Sequence, residues 1–111
     1  MSRKMIIDID GKDYILAIDR KEIVRGEKIG LNLSQLESSP LTQMSIFWNV
    51  GLHKEQPNLS TSKLEELMDK FIEEGGDIKE VISFLSEEYA TFFQANLQNT
   101  KTLKKARLVE E

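Results

Sequence analysis

The chain has few of the residues that supply most protein chemistry. Its 111 residues include no cysteine and a single histidine, His53. Without cysteine the chain has no disulfides, thiolate nucleophiles or thiolate metal ligands, which agrees with a reducing compartment. His53 has no second histidine at a metal-binding spacing, so we expect a cation at a helix end. The sequence therefore predicts neither a metal site nor a cofactor.

Long apolar runs are also missing. No stretch is long enough to span a membrane, and the N-terminus lacks the length and cleavage site of a secretory signal. A length of 111 residues suits one domain, which can bury about 65% of its unfolded surface. We expect one domain over residues 4–98, a flexible charged tail over 99–111, and a cytoplasmic location.

Positive charge is scarce in the middle of the chain. The net charge is −4, and residues 54–90 carry four lysines against ten acidic residues. Residues 99–111 reverse this balance, with four basic residues against two acidic ones. An acidic body repels phosphate backbones, and the basic tail has no interleaved aromatic residues, so we expect no nucleic-acid binding.

The N-terminal segment has the pattern of a β-hairpin. Two β-type runs flank the turn-forming residues 10–13, and the turn centres either on Asp10 and Gly11 or on Gly11 and Lys12. Both registers give the same apolar face. A two-stranded hairpin is marginal alone in water, so this face must lie on helices or on the strands of another chain.

Four helices are expected after the hairpin. Asp19, Ser39, Ser60 or Ser62, and Asp77 are their candidate N-caps. Both aspartates are followed three residues later by a glutamate, Glu22 or Glu80, which is the spacing of a capping box. The last helix is the most clearly amphipathic and is expected to end in the region of residues 94–98. The predicted fold class is α+β, with the N-terminal hairpin packed on a bundle of about four helices.

The second helix, with sequence "PLTQMSIFWNVGLH", is apolar on more than one side. A stripe that includes Leu41 and Met44 occupies one side, while Ile46, Phe47 and Val50 fall on the other. Such a helix is either the centre of the core or shared with a partner. We expect part of the side formed by Phe47 and Val50 to be left uncovered.

Partner contacts are also expected further along the chain. Phe92 and Phe93 are adjacent, so both rings cannot point into one narrow seam of a helix. Either a broad core takes both rings or one of them contacts a partner. The predicted partner-binding residues are therefore Ile46, Phe47, Val50, Phe92 and Phe93.

No pattern indicates catalysis. The acidic pairs at residues 65–66, 73–74 and 87–88 lie on polar sides of amphipathic helices, and a solvated carboxylate lacks the raised pKa that acid–base catalysis needs. No serine has a histidine base in a recognisable pattern. We predict that the protein is not an enzyme.

The order of segments resembles the small tail assembly chaperones of long-tailed (siphovirus-type) bacteriophages over roughly residues 5–97. The resemblance rests on the hairpin "IDIDGKDYIL", the helix opening "DRKEIVRGEKIGLNLSQL", the apolar helix and the acidic segment "QPNLSTSKLEELMDKFIEEGGD". It implies a protein of the infected bacterial cytoplasm that is absent from the mature virion. Its implied partners are the tape measure protein, which it keeps soluble, and the tail tube protein, which it helps to recruit.

Other functional classes remain open at this stage. One is a small structural tail or connector protein, which would persist in mature particles. Another is a host regulatory binding module whose basic tail contacts nucleic acid. A homo-oligomer is also possible, since an apolar surface that one chain leaves uncovered can be buried against a second copy.

Overall fold

A β-hairpin followed by four α-helices makes up the fold. The computed structural model describes the backbone of residues 3–103 and the side chains of residues 3–91. Its elements, in chain order, are β1 (Met5–Ile9), β2 (Lys12–Leu16), α1 (Arg20–Lys28), a 3-10 turn (Leu33–Gln35), α2 (Pro40–His53), α3 (Thr61–Glu73) and α4 (Ile78–Leu103). The predicted α+β class is confirmed, with a two-stranded antiparallel hairpin and four helices.

The turn between β1 and β2 decides the hairpin register. Asp10 has φ 56° and Gly11 has φ 79°, as a two-residue type I′ turn requires at both central positions. Ile7 therefore pairs with Tyr14, the register expected for a turn centred on Asp10 and Gly11. The inward face of the hairpin is apolar and joins the helical core.

Local capping explains where the helices begin. The carboxylate of Asp19 accepts a hydrogen bond from the amide of Glu22 at 2.9 Å, and Ser60 Oγ accepts one from the amide of Lys63 at 3.1 Å. Asp77 accepts hydrogen bonds from first-turn amides of α4. Each cap satisfies backbone donors that the helix itself leaves free. These three predicted N-caps are confirmed.

The predicted cap of α2 is in position but does not act as one. Ser39 immediately precedes α2, yet its side chain makes no cap hydrogen bond. Pro40 occupies the first turn, where its missing amide costs little. The start of α2 is therefore set by proline and by packing.

α2 is the central helix, in contact with α1, α3, α4 and β2. Trp48 is fully enclosed, and its indole N–H donates to the carbonyl of Leu64 on α3 at 2.8 Å. The ring of Trp48 also packs against Phe71, with 5.5 Å between ring centroids. Of the two alternatives for this apolar helix, the structure therefore supports the centre of the core.

α4 is longer than expected. It continues to Leu103, so the first residues of the predicted 99–111 tail belong to the helix, and an end at residues 94–98 is wrong. Amphipathic spacing marks the buried part of a helix and carries no information on how far a polar continuation remains helical. Residues 104–111 lie outside the described residues. No helix in the described part of the chain combines the length and apolarity needed to cross a membrane.

The N-terminus is tied to α4 by a buried carboxylate. The amide and Nε of Arg3 donate to the two carboxylate oxygens of Glu88 at 2.8 and 2.7 Å, and the guanidinium lies 5.4 Å from the ring centroid of Phe84. The Arg3 side chain also hydrogen-bonds to Glu87. The hydrogen bond to Glu88, and after it the one to Glu87, raises the pKa of Arg3 above its ordinary value. The sequence predicts the acidic pair at residues 87–88 on a solvated side of the helix. This is wrong for Glu88, which is buried, and confirmed for Glu87, which is exposed.

Candidate interaction surface

The N-terminal half of α2 is the least covered part of the core helix. Leu41 has 73% of its surface exposed, the largest exposed fraction of any large apolar side chain among the described residues. Met44, one turn further along α2, is only partly buried. Apolar surface of this kind is costly in water unless something covers it.

A buried glutamine holds the segment before α2 in place. Gln43 is 2% exposed; its Oε1 accepts from the amide of Asn32 at 2.8 Å, and its Nε2 donates to the carbonyl of Gly30 at 3.1 Å. These bonds tie residues 29–39, called the connector below, to one side of α2, because a buried amide must satisfy its hydrogen-bonding groups. Leu41 in the first turn of α2 stays exposed.

Between this connector and α4 lies an apolar groove with a volume of about 290 Å³. Its apolar lining comes from the connector, α2 and α4, and Lys79 and Ser83 form its polar rim. Leu41 projects from the same end of α2. The term "apolar groove" refers below to the surface formed by Leu36, Pro40, Met44 and Ile82.

Ile46 lies on a different surface of α2. It is half-buried and shares a shallow cavity of about 180 Å³ with Ile29, which is 46% exposed. The remaining lining of this cavity is polar: Ser45, Asn49, Thr61 and Glu65. The structure thus places one predicted contact residue at the surface, where it forms a smaller and more polar depression than the apolar groove.

Phe47 and Val50 are buried, so the expectation that part of their side of α2 is left uncovered is wrong for these two residues; of the three predicted contact residues on that side, Ile46 alone reaches the surface. Phe47 and Val50 are both 0% exposed. For Val50 the physical reason is the close approach of α1 at Gly26, where an added Cβ would lie 2.6 Å from Cγ2 of Val50. Hydrophobic spacing in α2 gives no sign of this contact, because it depends on a glycine in another helix.

The other two predicted contact residues, Phe92 and Phe93, belong to the part of α4 whose side chains lie outside the described residues. Their proposed role stays a prediction. Their backbone is helical, which agrees with the segment expected from the sequence.

The side chains that most resemble a reactive site form a polar network between α1 and α2. The carboxylate of Glu22 accepts from Nε of Arg25 and lies 2.8 Å from Nδ1 of His53. Nη2 of Arg25 donates to Oδ1 of Asn49 at 2.7 Å. Every member has a partner within the network, so its role is to join the two helices.

This network also explains two differences from the sequence-based expectations. His53 does lie in the last turn of α2, but its nearest charged group is Glu22 of α1. Since the Glu22 carboxylate is engaged there, it does not complete a capping box with Asp19. Among the described residues, no group of three acidic, histidine or cysteine side chains could hold a metal ion.

The sequence contains a partial signal for the apolar groove. Leu36 and Pro40 add apolar surface just before a helix that already carries an apolar stripe through Met44. Periodicity identifies that stripe, but it does not show which end of the helix the rest of the chain covers. The position of α4, which supplies Ile82, had to come from the structure.

Comparison with known proteins identifies the family of the chain. The chain belongs to the family described as Domain of unknown function (DUF5055), whose model matches residues 1–109. No curated protein and no solved structure matches the chain. The family description names no activity, substrate or partner.

Proposed function

We propose that this protein is a non-enzymatic tail assembly chaperone of a long-tailed bacteriophage. It binds and solubilises the tape measure protein and helps to recruit the tail tube protein. It acts in the cytoplasm of the bacterial host and is absent from the mature virion. The order of its segments supports this proposal, and the apolar groove at the start of α2 is the structural observation that carries it.

The apolar groove suits an amphipathic helix of the tape measure protein. Its lining is almost entirely apolar, and it is open to solvent beside Leu41, which is 73% exposed. A helix that docks in a groove presents apolar residues at intervals of three and four. A long protein rich in such helices aggregates unless a partner covers these side chains.

Charge at the rim adds a preference to this interaction. Lys79 borders the apolar groove, and Ser83 follows one turn later on α4. An acidic residue beside the apolar stripe of the incoming helix would pair with Lys79 at the solvent-exposed margin. Such a pair contributes little affinity, about 0–1 kcal/mol, and mainly favours one orientation of the helix.

Co-expression with the tape measure protein from the same genome tests the proposal. Replacing Met44 of the apolar groove and the exposed Leu41 beside it with glutamate places one charge in the groove and one at its side, and we expect the tape measure protein to become insoluble. Ile72→Glu is the matched control, because Ile72 is an exposed isoleucine of α3 at 44% exposure. The measured quantity is the soluble fraction of the tape measure protein.

Two results would count against the apolar groove or against the chaperone itself. Equal solubilisation by the double variant and the control, with both folded by circular dichroism, would exclude the apolar groove as the binding site. Failure of the unmodified chain to solubilise the tape measure protein would exclude the function.

The mature particle provides a second test. Mass spectrometry of purified virions is expected to find tape measure and tube proteins but not this chain. Its presence in fixed proportion to the tube protein would favour a small structural tail or connector protein. A long, helix-rich reading frame beside the gene is also expected, and its absence would contradict the tail assembly role.

A further inference from the structure

The two edges of the hairpin differ in how their backbone groups are satisfied. The side-chain amide of Gln56 covers the outer edge of β2: its Oε1 accepts from the N–H of Ile15 at 2.9 Å, and its Nε2 donates to the carbonyl of Ile15 at 3.0 Å. Nearby, the N–H of Ala17 donates to the carbonyl of Gly51 at 2.9 Å. The outer edge of β2 is thereby covered at Ile15, and the chain that follows it is held at Ala17.

Among the side chains of residues 3–91, none covers the outer edge of β1 in this way. Ile15 pairs with Ile6 in the ladder, and since the backbone groups of Ile15 point to Gln56, Ile6 and Ile15 form a non-hydrogen-bonded pair. The N–H and carbonyl of Ile6 therefore point away from β2, and the same alternation applies to Asp8. Within residues 3–103, neither residue has a backbone hydrogen bond outside the hairpin.

The side chains along this edge are exposed and differ in charge. Ile6 is 65% exposed, and Lys4 and Asp8 on either side of it are also exposed. All three lie on the face of the hairpin that points away from the helices, because side chains alternate along a strand. An open strand edge with an exposed isoleucine is a site where another strand can pair.

We propose that β1 is the contact edge of a symmetric homodimer, in which the β1 strands of two copies pair antiparallel about Ile6. The pairing joins two hairpins into one four-stranded sheet. It concerns self-association of this chain alone and does not depend on the chaperone function.

Charge complementarity selects a second copy as the occupant and fixes the register. Antiparallel pairing about Ile6 places Lys4 of each copy opposite Asp8 of the other, so two ion pairs form at once. Parallel pairing in register would place each charge beside an identical one. A register centred on Ile7 would put Asp8 opposite Ile6 and leave Lys4 facing Asp10, which lies in the turn beyond the end of β1.

A like-charge contact within each hairpin adds to this preference. Asp8 lies directly opposite Asp13 in the ladder, and two carboxylates at such positions repel each other. Lys4 of a second copy would approach Asp8 from its other side and reduce that repulsion. Lys4 is available for this exchange, because its present ion pair with Glu55 at 3.2 Å involves a lysine side chain that is 56% exposed, and exposed pairs are weak.

Sedimentation velocity on the purified chain tests the dimer. One short strand edge buries less than the roughly 1,200 Å² of a stable complex, so we expect a monomer–dimer equilibrium between about 10 µM and about 1 mM. Ile6→Pro removes the outward amide and leaves the ladder bonds of the hairpin intact. We expect this variant to stay monomeric over the same range.

Charge exchange tests the register without a proline. Asp8→Lys places lysines opposite each other at two symmetric positions, and we expect dimerisation to weaken about tenfold or more. Adding Lys4→Asp to the same chain restores opposite charges, and dimerisation should return. Glu27→Lys on α1 is the matched control, since it changes net charge equally at an exposed site and should leave the equilibrium unchanged.

The absence of cysteine permits an independent test of the symmetry axis. Ile6→Cys would bring two thiols together at a Cα separation near 5.5 Å, within the range that disulfides accept. Under mild oxidation it should form covalent dimers much faster than Ile72→Cys, an exposed site on α3. Equal rates would contradict pairing about Ile6.

Three outcomes of the sedimentation experiments would overturn the β1 dimer. The first is a wild-type chain that remains monomeric to about 1 mM. The second is a dimer that tolerates Asp8→Lys. The third is a dimer that is kept with a folded Ile6→Pro variant; its loss with Leu41→Glu would assign self-association to the exposed start of α2. If Ile6→Pro does not fold, Asp8→Lys with and without Lys4→Asp provides the test of the β1 dimer.

Discussion

The two halves of α2 have similar apolar composition and different surroundings. In the C-terminal half, Phe47, Val50 and Leu52 are all 0% exposed, whereas Leu41 near the N-terminus is 73% exposed. The sequence shows a helix that is apolar around its circumference. In the structure, the C-terminal half of this helix lies in the core, and its N-terminal end lies at the surface. An apolar helix can thus be central at one end and available to a partner at the other.

Close backbone approaches explain why the C-terminal half is closed. A Cβ at Gly51 would lie 2.8 Å from Leu85 and 3.0 Å from Leu16, so α4 and β2 both reach the surface of α2 there. At the neighbouring residue Val50, Gly26 of α1 lets a second helix approach: a Cβ at Gly26 would lie 2.6 Å from Cγ2 of Val50. Beside the first turns of α2 lie the connector and the beginning of α4, and the apolar groove lies between them.

The largest effect is expected where a charge enters the closed half. Phe47→Glu would bury a carboxylate without a partner, at a cost comparable to the whole free energy of unfolding, about 5–15 kcal/mol. We expect no cooperative unfolding transition by circular dichroism or by fluorescence of Trp48, the sole tryptophan. Leu41→Glu is the control and should unfold cooperatively. A folded Phe47→Glu variant would refute the enclosed position of Phe47.

A smaller effect is expected from one added methyl group. Alanine in place of glycine inside a helix usually stabilises by about 1 kcal/mol, but at Gly51 the new Cβ would meet Leu85, which is itself 0% exposed and has no room to move. We expect Gly51→Ala to lower the free energy of unfolding by about 1–3 kcal/mol. Urea titration measures this, with Thr42→Ala in the open half as the comparison. A stabilising Gly51→Ala change would mean that the two halves are equally tolerant.

The smallest effect on stability is expected at the exposed end. Leu41→Ser removes an apolar side chain that is already in water, so the free energy of unfolding should change by no more than about 0.5 kcal/mol. The urea midpoint provides the measurement. A loss of 2 kcal/mol or more, the range of about 2–5 kcal/mol typical of buried leucines, would show that Leu41 is part of the core.

Local interactions made much of the fold predictable. The hairpin turn at Asp10 and Gly11 and the caps Asp19, Ser60 and Asp77 depend on residues within a few positions of each other. Each has a residue type whose backbone preference or side-chain acceptor favours one local structure. The class of fold follows from the order of these elements.

Contacts between distant residues explain what the sequence did not reveal. The buried carboxylate of Glu88 is hydrogen-bonded to Arg3, which is 85 residues away. The carboxylate of Glu22 contacts His53, 31 residues away, instead of completing a capping box. Val50 is covered by a helix whose contribution at that point is a glycine. Periodicity describes one helix at a time, so neither the enclosure of Phe47 nor the position of the apolar groove follows from it.

The amide of Gln56 has a consequence for how large an assembly built on the hairpin can become. A strand added at β1 meets open backbone groups, whereas on the far side of β2 the groups of Ile15 and the N–H of Ala17 are already occupied. Two chains joined at β1 would present a Gln56 amide at both margins of the sheet. A further strand would have to displace these amides, which disfavours open-ended fibre growth by edge addition.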